Sequence, residues 1–226
     1  IMKNYLSSLF DSILLKDILK RFRIRQTQQL YDLSHYMLSN YTNYFTFNQL
    51  KASLGFNSVA TVQKFAGYLE EPYLFQHLTR YDTKIKNQQK SAQKVYIIDN
   101  GFVKARSFEL SPNYGRLLEN LVFIELLRRN FQPELTLFYY RTRNDREIDF
   151  LVRTGNKTEQ LIQVCYSMDQ PRTIKREISA LIEASGELKC NKLLVITWDR
   201  EEVIEQNNLE IEVIPAYKWL TSEEQK

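Results

Sequence analysis

Apolar positions in the first stretch, YLSSLFDSILLKDILKRFRIR, recur at steps of three and four: Leu6, Leu9, Phe10, Ile13, Leu14 and Ile18, with Asp17 on the same stripe. That period predicts an amphipathic helix. Lys20, Arg21, Arg23 and Arg25 crowd its end, where cations suit the carbonyl end of a helix. A second helix is expected from about Thr27 to Asn40. A short one follows in TFNQLKASLGF, capped by Thr46 and stopped at Gly55. The next, SVATVQKFAGYLEE, has Ser58 as cap, a stripe of Val59, Val62, Phe65 and Leu69, and Pro72 to end it. LFQHLTRYD and KVYIID then read as short strands. TKIKNQQKSAQK between them is polar, basic and without apolar anchors, as in a wing or flexible loop. Helices followed by two strands and a polar connection predict a winged helix-turn-helix.

The texture changes after Asp99. YGRLLENLVFIELLRRN is a helix apolar almost all round. TLFYYRTRND and REIDFLVR read as strands, residues 154–159 as a turn, and QLIQVCYS as the next strand. PRTIKREISALIEASGEL starts on a proline suited to a first helical turn, and KLLVITWD and EIEVIPAY are further strands. The order helix-β-β-β-helix-β predicts a mixed sheet with helices packed on it, an α/β (α+β) class overall. The expected division is a linker helix over 1–26, a winged helix-turn-helix over 27–98 and a sheet domain over 99–226.

Composition narrows the functions. The chain has 226 residues, 43% hydrophobic and 26% charged, an ordinary globular balance. Its net charge of +4 permits nucleic-acid contact without arguing for it strongly. Cys165 and Cys190 are the only cysteines and lack CxxC spacing, so neither a disulfide framework nor a zinc knuckle is supported. With His35 and His77 the only histidines, a His-rich metal site or a Ser-His-Asp triad is hard to build. Cys165 reads as a small buried hydrophobe, and Trp198 and Trp219 are expected to pack. No apolar run approaches a membrane span and no signal peptide is visible, so a reduced, soluble, cytoplasmic protein is expected. The opening IMKNYLSSLF does not start with Met, as in a fragment of something longer.

The candidate chemistry centres on REIDFLVRTGNKTEQLIQVCYS. Strict strand alternation puts Ile148, Phe150 and Val152 on one face and Glu147, Asp149 and Leu151 on the other. In the next strand Gln163 and Cys165 share a face. If the strands are neighbours, Asp149, Gln163 and Cys165 converge. Glu119 sits in the preceding helix among Leu117, Leu118, Leu121 and Val122, where a charge is rarely placed without a partner.

This constellation resembles the PD-(D/E)xK nuclease superfamily, in which a helix acid and two strand acids hold Mg²⁺ and a strand lysine helps activate water. The resemblance implies a restriction-endonuclease-like fold for the second domain. It matches Glu119 to the helix acid and Asp149 to the first strand acid. Gln163 stands where the second acid belongs and Cys165 where the lysine belongs, with Lys175 or Arg176 on the next helix as a migrated cation. Glu119 and Asp149 are then the metal candidates. The ordered set of winged helix, IIDNGF, GRLLENLVFIELLRR, RNDREIDFLV and LIQVCYS also resembles the C-terminal half of a bacterial and archaeal family of AAA+-type P-loop ATPases. That implies a parent ATPase whose nucleotide module lies outside this chain, since no GxxxxGK[ST] occurs in it. ATP would belong to that module alone.

Simpler readings stand beside these. Asp149 could pair with Arg141, Arg143 or Arg146, Glu119 with Arg116 or Arg128, and Gln163 could be a satisfied buried amide. Lys84, Lys86, Lys90 and Lys94 suit a DNA-touching wing or a solvated loop. Lys51, Ser58, Thr61 and Lys64, with Gln49 and Gln63, suit a recognition helix, although winged helices also bind proteins. Three functions follow: a non-catalytic DNA- or partner-binding module serving the ATPase, an active nuclease with a rearranged site, and a protein-interaction or self-association element.

Overall fold

The computed structural model describes residues 2–106 and 111–222. Contacts divide the chain into two units, the first of residues 1–77 and 92–112, the second of residues 78–91 and 113–226. The fold is mixed α/β, with a helical first part followed by a sheet domain. Among the described residues no helix is long and apolar enough to cross a membrane.

The first unit opens on α1 (Met2–Ser12), which runs on as a π-helix over Ile13–Lys20. Phe10, Leu14 and Ile18 are fully buried, one step of four residues apart. Phe10 meets Phe102 at 5.6 Å and Phe75 at 6.3 Å, and Arg106 donates to Asp11 at 2.6 Å. The segment expected as a linker is thus packed into the core of this unit. It is followed by α2 (Thr27–Ser39), β1 (Tyr44–Phe45), α3 (Phe47–Ser53), α4 (Val59–Glu70), β2 (Phe75–Leu78), β3 (Gln93–Ile97) and α6 (Asn100–Arg106). The strands lie in the order β1-β3-β2, three where two were expected. Both expected caps form. Thr46 and Gln49 make a reciprocal capping box, and Ser58 accepts from the Thr61 N–H at 3.1 Å.

The connection from β2 to β3 is more ordered than a polar loop. It carries α5 (Ile85–Lys90), started by Asp82, which accepts from the Lys84 N–H at 2.8 Å and from the Asn87 amide at 3.2 Å. Upstream, Tyr81 N–H donates to Tyr139 O and Tyr139 N–H to Thr79 O, stitching residues 79–81 along an edge strand of the second unit's sheet. Covering an edge in this way removes a template for aggregation.

The second unit contains α7 (Tyr114–Arg128), β4 (Leu137–Arg141), β5 (Glu147–Thr154), β6 (Lys157–Cys165), α8 (Pro171–Leu188), β7 (Leu193–Thr197), β8 (Glu202–Gln206), β9 (Leu209–Pro215) and α9 (Ala216–Thr221). The sheet order is β4-β5-β6-β7-β9-β8. β4, β5 and β6 pair antiparallel, β6, β7 and β9 parallel, and β8 returns antiparallel to β9. The turn between β5 and β6 is only Gly155-Asn156, with Gly155 at φ 56°, which glycine adopts without steric penalty. α8 lays Ile178, Leu181 and Ala184 on a core with Leu151, Leu161, Val195 and Val213. Phe123 of α7 stacks on Phe150.

Candidate functional site

β5 departs from strict alternation where the chemistry was expected. Phe138 pairs with Leu151 and Tyr140 with Ile148, so β5 spends one more residue than β4 over that step. Ile148 and Leu151 therefore share a core, which alternation forbids, and Asp149 and Phe150 form a β-bulge between them. The expected division of β5 into two fixed faces fails at this point. A bulge re-aims its side chain, and here the buried carboxylate of Asp149 turns along the sheet to accept from the Val164 N–H at 2.9 Å.

Gln163 repairs the interrupted ladder. Its Oε1 accepts from the Asp149 N–H at 3.1 Å, and its Nε2 donates to Glu147 O at 3.2 Å. The second Nε2 proton goes to Glu177 Oε2. Both amide protons and the amide oxygen are thus engaged with the chain itself, which makes Gln163 the satisfied buried amide of the simpler reading.

Glu177 is the residue that sequence reasoning missed. It is 4% exposed on α8 and receives Gln163 on one oxygen and the Nε and Nη2 of Arg176 on the other. The signal was present. Ile174, Ile178 and Leu181 define the inward stripe of α8, and Glu177 lies on that stripe at helical spacing.

These groups line one cleft of about 580 Å³, together with Glu119, Arg116, Arg141 and Arg146. Glu119 is half-buried on α7, which is capped by Asn113 accepting from the Arg116 N–H. Arg176 lines the cleft and Lys175 does not. Lys175 is exposed, because two helical steps of about 100° turn it away from the inward position that Glu177 takes. Arg141 pairs with Asp145, Arg146 with Glu183, and Arg128 with Glu125. Burial, and next the charge of Glu177, push the Cys165 thiol up to about 11, so it is a protonated, inert thiol at neutral pH. Glu119, Asp149 and Gln163 thus line one cleft, whereas Cys165, expected to converge with them, lies in the apolar core and does not line it.

Mg²⁺ takes oxygen ligands in near-octahedral array. The residues present do not fit it well. The Gln163 oxygen is held by a backbone N–H, one Asp149 oxygen by another, and Glu177 by Gln163 and Arg176. Among the described residues no group of three His, Cys, Asp or Glu side chains is disposed to hold a metal ion.

Of the expected nucleic-acid contacts, Lys51, Lys64, Lys84, Lys86 and Lys90 are exposed. Ser58 and Thr61 are half-buried and spend their hydroxyls on each other at the start of α4. Lys94 is buried over the Tyr44 ring, so it leaves the wing set. Trp219 packs as expected, whereas Trp198 is 54% exposed.

Residues 114–219 match a family described as a domain of unknown function, DUF4143, and residues 2–111 match a second, DUF8612. An uncharacterized protein of Methanocaldococcus jannaschii is 34% identical over 229 residues, covering 97% of this chain and 50% of its own length. An uncharacterized protein of Haemophilus influenzae is 30% identical over 220 residues, covering 95% of this chain and 51% of its own. The chain spans about half the length of these curated relatives. No solved structure matches it.

Proposed function

We propose that this chain is the accessory region of a larger P-loop ATPase, a winged helix joined to a nuclease-like unit that holds nucleic acid without cutting it. Gln163 carries the reading. At the position where a nuclease of this kind needs a second acid, the chain has an amide whose hydrogen bonds are all spent on closing a bulge and holding Glu177. Arg141 pairs with Asp145, Arg146 with Glu183 and Arg176 with Glu177, which suits a scaffold better than a site that must bind a dication and activate water. The relatives' greater length is consistent with a further module, to which nucleotide binding and any self-association would belong.

The phosphates of a duplex are met by exposed lysines: Lys51 and Lys64 around α3 and α4, and Lys84, Lys86 and Lys90 at the wing. Each lysine that neutralises a phosphate releases condensed counterions, so binding must weaken steeply with salt. In fluorescence anisotropy with a labelled duplex, log K against log salt is expected to fall with a slope of about −3 to −5. Replacing Lys84, Lys86 and Lys90 together with alanine flattens that slope by about 2 to 3. Absence of binding at low salt contradicts the reading and leaves a protein partner as the ligand.

A further inference from the structure

Three aromatic rings form a continuous ladder beside the cleft. Tyr114 stacks on Tyr166 at 5.3 Å with 21° between planes, and Tyr166 meets Trp198 at 5.5 Å with 30°. Its place follows from the topology. β6 and β7 are parallel neighbours with Cys165 opposite Thr197, so Tyr166 and Trp198 leave the sheet side by side, joined by Trp198 N–H donating to Tyr166 O at 3.2 Å. Tyr114 is the first residue of α7, between Asn113 and Gly115, both of which line the cleft. Ladder and cleft thus share the carboxyl end of the parallel strands, where open α/β sheets bind ligands.

The rings are not used up by the core. Tyr114 is 53% exposed and Trp198 54%, although each has one side covered by Tyr166. Holding two large rings half in water forgoes burial that the fold could have used, and none of the three is among the residues of the buried cluster under α8. Beside it, Arg116 and Arg176 line the cleft. A guanidinium has five N–H donors, and Arg176 spends two of them on Glu177.

We propose that the Tyr114–Tyr166–Trp198 ladder is a base-stacking platform that makes this unit a reader of single-stranded nucleic acid, with the strand's phosphates directed toward the cleft arginines. This rests on the nucleic-acid reading above and narrows it. A row of neighbouring rings with exposed ends can be extended by one more flat ring, and an unpaired base offers a π-face whatever its sequence. A paired base keeps its faces inside the duplex and cannot use the ladder. Arg176 keeps N–H donors beyond the two given to Glu177, which a phosphate oxygen can accept and an apolar peptide cannot.

The test uses the whole chain with labelled oligothymidine, oligouridine and a duplex of the same length. Trp198→Ala and Tyr114→Ala are each expected to weaken single-strand binding about tenfold or more. Trp198→Phe, which keeps a ring, should recover most of the loss, and duplex binding should change less than about twofold. Tryptophan emission should quench on adding oligothymidine to the parent chain but not to Trp198→Ala, since Trp219 is buried. Both ring positions are exposed, and unaltered far-ultraviolet circular dichroism checks that the variants fold. Unchanged single-strand affinity in both alanine variants, or equal losses for single strand and duplex, overturns the ladder while leaving the nucleic-acid reading intact. Failure of the parent chain to bind any of the three polymers overturns both. Loss confined to oligouridine or to oligothymidine upholds the platform and assigns it to RNA or DNA.

Discussion

Gln163→Glu places an acid where the proposed nuclease-like reading expects one, and it is expected to destabilise the second unit by about 3–4 kcal/mol near neutral pH rather than to create a cleavage site. The present amide donates to Glu147 O and to Glu177 Oε2. A carboxylate keeps an acceptor for the Asp149 N–H but loses both donors. It also sets a second negative charge against Glu177, which is 4% exposed. Like charges that close cannot both ionise, so the pair retains a proton and its folded pKa rises above the unfolded value. The sign follows. The shared proton supports the fold fully below the unfolded carboxyl pKa of about 4.3, and that support is lost as pH rises through the higher folded value. The deficit relative to the parent should therefore shrink to about 1–2 kcal/mol near pH 4.5. Both tryptophans lie in this unit, so urea titration followed by tryptophan emission reads it directly. A variant as stable as the parent at neutral pH would show that Gln163 is not structural.

Arg129→Met is expected to cost the same unit about 3 kcal/mol. Glu125 is buried on α7, and its carboxyl is held below the usual range, first by the hydrogen bonds of Arg128 and then by those of Arg129 against the cost of burial. Arg128 is 68% exposed, while Arg129 is 10% exposed and also donates to Trp219 O, with its guanidinium 4.3 Å from the indole centroid. Methionine fills much of the volume but leaves Glu125 with one solvated partner and releases α9 from α7. A depressed carboxylate contributes stability above its unfolded pKa and loses it as pH falls through the folded one, so the parent's advantage over this variant should fade in acid. Urea midpoints at neutral and acid pH check this, with a red shift of Trp219 emission as a second readout. A loss below about 1 kcal/mol would mean that Arg128 alone satisfies the buried charge.

Much of the fold was legible because apolar period and cap residues agree. The expected helices of the first unit, though not α6, the caps at Thr46 and Ser58, and the start of the second unit's order, helix-β-β-β-helix-β, stand. β8 was not legible. It is a short edge strand, and its hairpin turn is Asn207-Asn208, both at positive φ, whose sequence carries no glycine to mark it. The pairing of residues 79–81 with Tyr139 was hidden for another reason. It joins segments far apart in sequence, and no local period encodes such a contact. At the site, Asp149 and Gln163 could be named as neighbours, but the bulge could not be foreseen, because it depends on register against β4. Glu177 comes from a helix rather than from the strands that carry the other acids, although its inward position can be read from Ile174, Ile178 and Leu181. Trp198 was expected to pack on hydrophobicity alone, and half of it faces water.

The most direct measurement incubates the chain with supercoiled plasmid in Mn²⁺ at low salt and runs the gel before and after the protein is digested away. The expected result is retarded plasmid before digestion and intact, still supercoiled plasmid after it, the same for the parent chain and for Asp149→Ala. Nicked or linear plasmid from the parent, absent with Asp149→Ala, would contradict the assignment of Gln163 to structure and make the cleft a working nuclease site.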